Sequence, residues 1–106
     1  MSSATLDDVL NLIAATKNIR ICGRKNGIDK NRKTRLLLGI TIEDQNNLIH
    51  SLQKCDYISG PEADYDGSAG SVWKFKKQAF GIMFYIKIKY NPNSVKALSC
   101  HIDNIM

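Results

Sequence analysis

No stretch of this chain is apolar for long enough to cross a bilayer, which takes roughly 20 residues. The N-terminus has neither a basic n-region nor an apolar h-region, so a signal peptide is not expected and a cytoplasmic, membrane-free location is. Cysteine is scarce: Cys22, Cys55 and Cys100 are an odd, widely spaced set. They read as reduced, mostly buried thiols rather than a disulfide framework. Together with His50 and His101 they lack ligand-like spacing, so neither a metal site nor another cofactor is expected. There are no internal repeats and no low-complexity tail. The 106 residues are expected to form one domain, 1–106, around one core. Acid is missing where it would matter most: between Gly67 and Ile102 there are six lysines and no Asp or Glu.

Charge is unevenly distributed in the rest of the chain. Fifteen Lys and Arg against ten Asp and Glu give a net charge of +5, an excess that suits an anionic partner. Arg20, Arg24, Lys25, Lys30, Arg32, Lys33 and Arg35 crowd one segment with Asp29 as its sole acid, and four acids gather between Asp56 and Asp66. Either basic segment can be no more than a solvated face. Two of them on one small chain are what a polyanion-binding surface requires.

The periodicity divides the chain in two. Thr5 with Asp8 forms a capping-box signature ahead of Leu6, Val9, Leu10 and Ile13, predicting a helix over 6–17. Residues 19–22 read as a short extended piece, and Gly23 to Lys33 as a loop. Thr34–Leu38 reads as a short helix stopped by Gly39. Thr41 with Asp44 repeats the capping signature and opens a helix over 42–54. Residues 57–71, with Gly60-Pro61, Gly67 and Gly70, read as a long loop. Beyond it the period becomes two, predicting strands over 72–77, 82–90 and 95–101. Helices grouped before strands argue for an α+β fold, with N-terminal helices packed on an antiparallel meander.

The strand Phe84-Tyr-Ile-Lys-Ile-Lys89 puts Phe84, Ile86 and Ile88 on one side and Tyr85, Lys87 and Lys89 on the other. If Leu98 and Cys100 pack inward beside Ile86 and Ile88, then Ser99 and His101 share the face of Tyr85 and Lys87. Burying Trp73 and Phe75 turns Lys74 and Lys76 to that same face. A tyrosine, a histidine and several lysines on one surface suit RNA cleavage without a metal. That reaction needs a base at the ribose 2′-OH, an acid at the leaving 5′-oxygen and positive charge on the phosphoryl oxygens. Histidine titrates near neutrality and serves either proton role. Each residue also has a plainer reading. Tyr85 suits any strand, Lys87 and Lys89 protect a sheet edge, and His101 can be merely exposed.

The ordered pieces Leu38-Gly-Ile-Thr41, Asp56-Tyr57, Gly60-Pro-Glu62, Asp64, Val72-Trp-Lys-Phe75, Tyr85-Ile-Lys87 and Ser99-Cys-His101 resemble the MqsR-like toxins of bacterial toxin–antitoxin systems. The resemblance runs from about Arg24 to His101. It implies a RelE-like fold, mRNA cleavage either free or on the ribosome, and neutralisation by a cognate antitoxin protein. Tyr85 matches a family active-site tyrosine, and Lys87 follows it in the same Tyr-x-Lys pattern. His101 stands where many relatives have histidine and the best-known member has lysine. Lys74 stands where that member has glutamine. A further family lysine has no counterpart here; Ile58 and Ser59 fill its place.

The expectation is therefore an endoribonuclease whose catalytic residues are Tyr85, His101, Lys87 and Lys74. Arg24, Lys25, Arg32, Lys33, Lys76 and Lys89 are expected to hold the RNA. The alternative is a non-catalytic basic module binding RNA or protein through the same face. Direct DNA binding by the chain alone is not expected, because neither helix carries a basic face suited to a groove.

Overall fold

The computed structural model describes residues 4–24 and 27–105. It is α+β: three helices and one five-stranded mixed sheet. Among the described residues no helix is long and apolar enough to cross a membrane.

Helix α1 spans Leu6–Ala15 and α3 spans Ile42–His50, each opened by the capping box its sequence announces. Thr5 and Asp8 exchange bonds of 2.9 and 3.2 Å, and Thr41 and Asp44 exchange bonds of 2.8 and 3.0 Å. Both helices stop short of their expected ends. The Thr16 hydroxyl turns back to the Leu12 carbonyl, and the Ser51 hydroxyl to that of Leu48. A separate 3₁₀ turn then takes Lys54–Asp56.

Two segments read as loops are regular structure. Helix α2, Lys30–Leu38, starts four residues before the expected point. Asp29 caps it by accepting the Arg32 N–H at 3.0 Å, so Arg32 and Lys33 sit on a helix and not in a loop. The basic, polar composition hid this, since the residues that face inward are Asn31 and Thr34. At the far end Gly39 takes the left-handed conformation (φ 66°) that ends a helix cleanly. The second segment is strand β2, Tyr57–Glu62, which contains Gly60 and Pro61. It pairs antiparallel with β3, Ser71–Ala79, with breaks in register around Ser59. Proline is tolerated there because β2 is an edge strand. Gly60 adopts φ 127° and lies so close to β3 that a Cβ would meet the Val72 carbonyl oxygen at 2.8 Å.

Strands β4, Ile82–Asn91, and β5, Ser94–Ile102, complete the meander. A two-residue strand β1, Arg20–Ile21, joins parallel to β5, giving the order β1-β5-β4-β3-β2. One face of the sheet carries Trp73, Phe75, Phe84, Ile86, Ile88, Val95, Ala97 and Cys100. They pack with Val9 and Ile13 of α1 and with Leu48, Ile49 and Leu52 in and just after α3. Fully burying one such large apolar side chain is worth roughly 1.5–3 kcal/mol.

Leu98 does not pack inward as its alternation predicts. Lys87 pairs with Ser99 but Ile88 pairs with Ala97, so Leu98 is the extra residue of a β-bulge. The bulge shifts the phase of β5. Val95, Ala97 and Cys100 all face the core, and Ser99 and His101 still face away from it.

Strand β1 satisfies the β5 edge only as far as Ala97, whose carbonyl accepts the Cys22 N–H at 2.9 Å. Beyond that point side chains of α2 and α3 take over. Asn31 accepts the Cys100 N–H at 2.8 Å and donates to the carbonyls of Cys22 and Leu98. Gln45, fully buried, donates to the Cys100 carbonyl at 2.8 Å, and the Thr34 hydroxyl accepts the Ile102 N–H at 3.0 Å. Losing the Asn31 amide strands buried backbone groups that water cannot reach. Asn31→Ala should therefore cost roughly 2–4 kcal/mol, about 1–3 of it from the buried Cys100 N–H and the rest from the part-buried Cys22 and Leu98 carbonyls. Leu36→Ala, at a side chain 74% exposed, should change stability by less than about 0.5 kcal/mol. Urea denaturation midpoints of the two variants against wild type check this.

Candidate active site

The outer face of the sheet is ordered by register. Lys76 on β3 lies opposite Tyr85 on β4, and Tyr85 opposite His101 on β5. The next row is Lys74, Lys87 and Ser99, and the third is Val72, Lys89 and Lys96. The Tyr85 and His101 rings lie 5.5 Å apart, centroid to centroid, at a 46° tilt. Tyr85, His101, Lys87, Lys74 and Lys76 are thus neighbours on one surface.

His101 is not exposed. It retains 8% of its accessible surface. Its Nδ1 lies 2.9 Å from the Ile102 carbonyl oxygen. A carbonyl can only accept, so Nδ1 carries the hydrogen and Nε2 keeps its lone pair. Burial holds the imidazolium pKa below its ordinary value; Lys30 pushes the same way, while the Ile102 carbonyl and Asp103 oppose. Burial acts on Tyr85 in the other direction and raises its phenol pKa, with the carboxylates of Glu62 and Asp103 adding to the rise and Lys74 and Lys76 opposing it. Near neutral pH the pair is a neutral imidazole beside a protonated phenol.

The lysines are not equivalent. Lys74 is paired with Glu62 at 3.1 Å and Lys76 with Asp103 at 3.0 Å. The Glu62 carboxylate raises the Lys74 pKa, keeping it an ammonium. Lys89 does not stand on the open face with Lys87. It is 6% exposed and its Nζ lies 2.8 Å from Asp64, with Ser68 also bonded to it. Burial and the Asp64 charge together take this ammonium out of reach of a phosphate on the open face. Among the described residues Lys87 forms no ion pair, which leaves its charge to a ligand. The acids came from outside the acid-free segment: Glu62 from β2, Asp64 from the loop after it, and Asp103 one residue past β5. Their pairing with particular lysines required the register, which spacing alone did not carry.

Asp64 draws the 63–70 loop across the sheet face. One result is a cleft of about 630 Å³. Its floor includes Lys87, Leu98, Ser99 and His101. One wall includes Arg24 and Lys30, and the other is Asp64, Tyr65 and Asp66. Tyr85, Lys74 and Lys76 lie on the sheet face beyond the cleft's lining. Arg24 and Arg32 are exposed, and Lys33 is half-buried on α2. Lys25 lies outside the described residues. Sequence reasoning missed Lys30 and the 64–66 wall as site elements. The cluster of acids was the available signal, but without the strand pairing it pointed nowhere.

No protein-family model, curated protein or solved structure matches this chain. Among the described residues no group of three or more His, Cys, Asp or Glu side chains is placed to hold a metal ion.

The His101 environment sets a pH dependence. Its folded pKa lies below the ordinary value of about 6.5, so between the two values the unfolded chain binds more protons than the folded one. Stability contributed by neutral His101 is therefore full above about pH 6.5 and is lost as pH falls toward the folded pKa. Asp64 and Asp66, held below the usual carboxylate range mainly by hydrogen bonds from Lys89 and Ser68 respectively, lose theirs only at more acid pH. Denaturation midpoints measured from about pH 8 down to 5 should fall for wild type in this upper window, and His101→Gln should remove that slope.

Proposed function

We propose that this protein is a metal-independent endoribonuclease, the mRNA-cleaving toxin of a toxin–antitoxin pair, on a RelE-like fold. The observation that carries the reading is the contact between a neutral, half-bonded imidazole and a protonated phenol, with the unpaired Lys87 in the adjacent row. The ordered motifs from Leu38 to His101 that resemble MqsR-like toxins support it. So does an antiparallel meander carrying helices on its other face.

In this reading His101 Nε2 takes the proton from the ribose 2′-OH, and the 2′-oxygen attacks the adjacent phosphorus. Lys87 offsets the charge that builds on the non-bridging oxygens. The P–O5′ bond breaks as the Tyr85 hydroxyl gives its proton to the leaving oxygen. The products are a 2′,3′-cyclic phosphate and a 5′-hydroxyl. At neutral pH both groups are in the forms these roles need, and burial moves each further that way: His101 accepts a proton and Tyr85 has one to give. Lys74, held as an ammonium by Glu62, stands beside Tyr85 and steadies the phosphate from the β3 side. Arg24 and Arg32, both exposed, track the neighbouring backbone. The substrate is single-stranded mRNA in the cytosol, and a cognate antitoxin has to cover the cleft to silence it.

A purified-protein assay on single-stranded RNA tests this. Cleavage should persist in excess EDTA and yield cyclic-phosphate ends. Tyr85→Phe and His101→Gln should each lower the single-turnover rate by roughly 10²-fold or more while changing RNA affinity little. Lys87→Ala should lower both. Full activity in both the Tyr85 and His101 variants would move the site elsewhere. Wild-type protein that binds RNA without cutting it, with or without ribosomes, would make the same face a binding module.

A further inference from the structure

The cleft has walls of opposite character, and that polarity says how a nucleic acid strand must lie in it. Arg24 and Lys30 on one side and Lys87 on the floor attract phosphates; the one acid on that side, Asp29, is engaged with the backbone N–H groups of Arg24 and Arg32. The facing wall offers phosphates nothing: Asp64 is already neutralised by Lys89, and Asp66 adds a carboxylate of its own. Between these two acids stands Tyr65, 94% exposed. Tyr57, Tyr85 and Tyr90, the other tyrosines, are all at least partly buried. A phenol ring left almost wholly in water contributes nothing to the core.

Its backbone is nevertheless held in place. Asp64, one residue earlier, is buried with Lys89 in the 2.8 Å ion pair and accepts the Gly67 N–H through its carbonyl at 3.0 Å. Asp66, one residue later, accepts the Ser68 N–H at 2.8 Å. The backbone on both sides of Tyr65 is thus tied to the sheet and to itself. An aromatic ring on a tethered turn meets a ligand with the backbone part of its ordering cost already met.

We infer that Tyr65 is the stacking platform of a nucleobase subsite. It takes one unpaired base of single-stranded RNA whose phosphates lie against Arg24, Lys30 and Lys87. The inference rests on the endoribonuclease reading and adds its substrate form. A base must leave its helical stack to reach Tyr65, so a duplex cannot occupy the subsite. Stacking uses the face common to all bases, so the subsite selects for strandedness before sequence.

Anisotropy binding to a fluorescent, single-stranded 2′-O-methyl oligonucleotide tests the subsite without cleavage, since that probe lacks the attacking hydroxyl. Tyr65→Ala should weaken binding by about 10-fold, within the range for loss of one base–aromatic stack. Tyr65→Phe should bind as wild type does. The salt dependence of affinity should be the same in all three, because stacking releases no counterions. A probe with an abasic site scanned along it should show one position that weakens wild type by the same factor and leaves Tyr65→Ala unaffected. Equal affinity of wild type and Tyr65→Ala, in protein that still cleaves RNA, overturns the subsite alone and returns Tyr65 to a protein contact. Wild type that neither binds nor cleaves RNA overturns the enzyme reading and the subsite together.

Discussion

The site depends on how β5 is closed at its edge. A strand that loses its partner halfway leaves backbone donors and acceptors that must be met by something. Here β1 stops after two residues, and Asn31, Thr34 and Gln45 meet the groups that remain. Asn31 imitates a strand: one side-chain amide accepts from Cys100 and donates to Leu98 across the same edge. Because these bonds are buried and directional, they fix where α2 can lie. With α2 set, Lys30 stands beside His101, the 23–31 segment becomes a wall, and the imidazole is covered enough for burial to lower its pKa.

A second constraint acts from the opposite side. Lysines on an open strand face would otherwise be interchangeable. The buried Asp64–Lys89 pair removes one of them from solvent and uses it to hold the 63–70 loop over the sheet. Such a pair gives little net stability, since desolvating both charges offsets most of their attraction, but it strongly favours one arrangement over others. Glu62 and Asp103 engage Lys74 and Lys76 more loosely, in partly exposed pairs of small individual worth. Among the described residues the lysines left without an ion pair on this face are Lys87 and Lys96, and of the two only Lys87 lines the cleft. A face that composition describes as uniformly basic is, in three dimensions, a few free ammonium groups among engaged ones.

The sequence made the helices α1 and α3, the three long strands and the outward row of Tyr85, Lys87, Ser99 and His101 legible. Capping boxes and alternation are local signals, and these elements obey them. It hid the first turn of α2, residues 30–33, and with it β2 and the bulge at Leu98, each for a non-local reason. Asn31 and Thr34 face inward to serve a distant strand, so the buried side of α2 is polar and carries no apolar period. Strand β2 holds glycine and proline because it is an edge that passes close over Val72. Leu98 is displaced because the pairing of β4 with β5 gains a residue, which no alternation within β5 can reveal. His101 was placed on the correct face but expected in water. The structure leaves it 8% exposed, packed against the Tyr85 ring.

The opposed shifts of His101 and Tyr85 follow from one cause. Burial penalises whichever form is charged, so it favours the neutral base of an imidazole and the neutral acid of a phenol. Two neighbouring groups covered by the same structure are thereby left as an acceptor and a donor at neutral pH, with no charge on either. An exposed histidine and tyrosine would stand mostly in the same two forms near pH 7, since their ordinary pKa values are about 6.5 and 10, and burial widens the gap between them. In the proposed reaction the edge-closing network therefore does more than stabilise the fold. With α2 lying against β5 it holds the strand that sets His101 beside Tyr85, and Lys87 supplies the charge that neither of them carries.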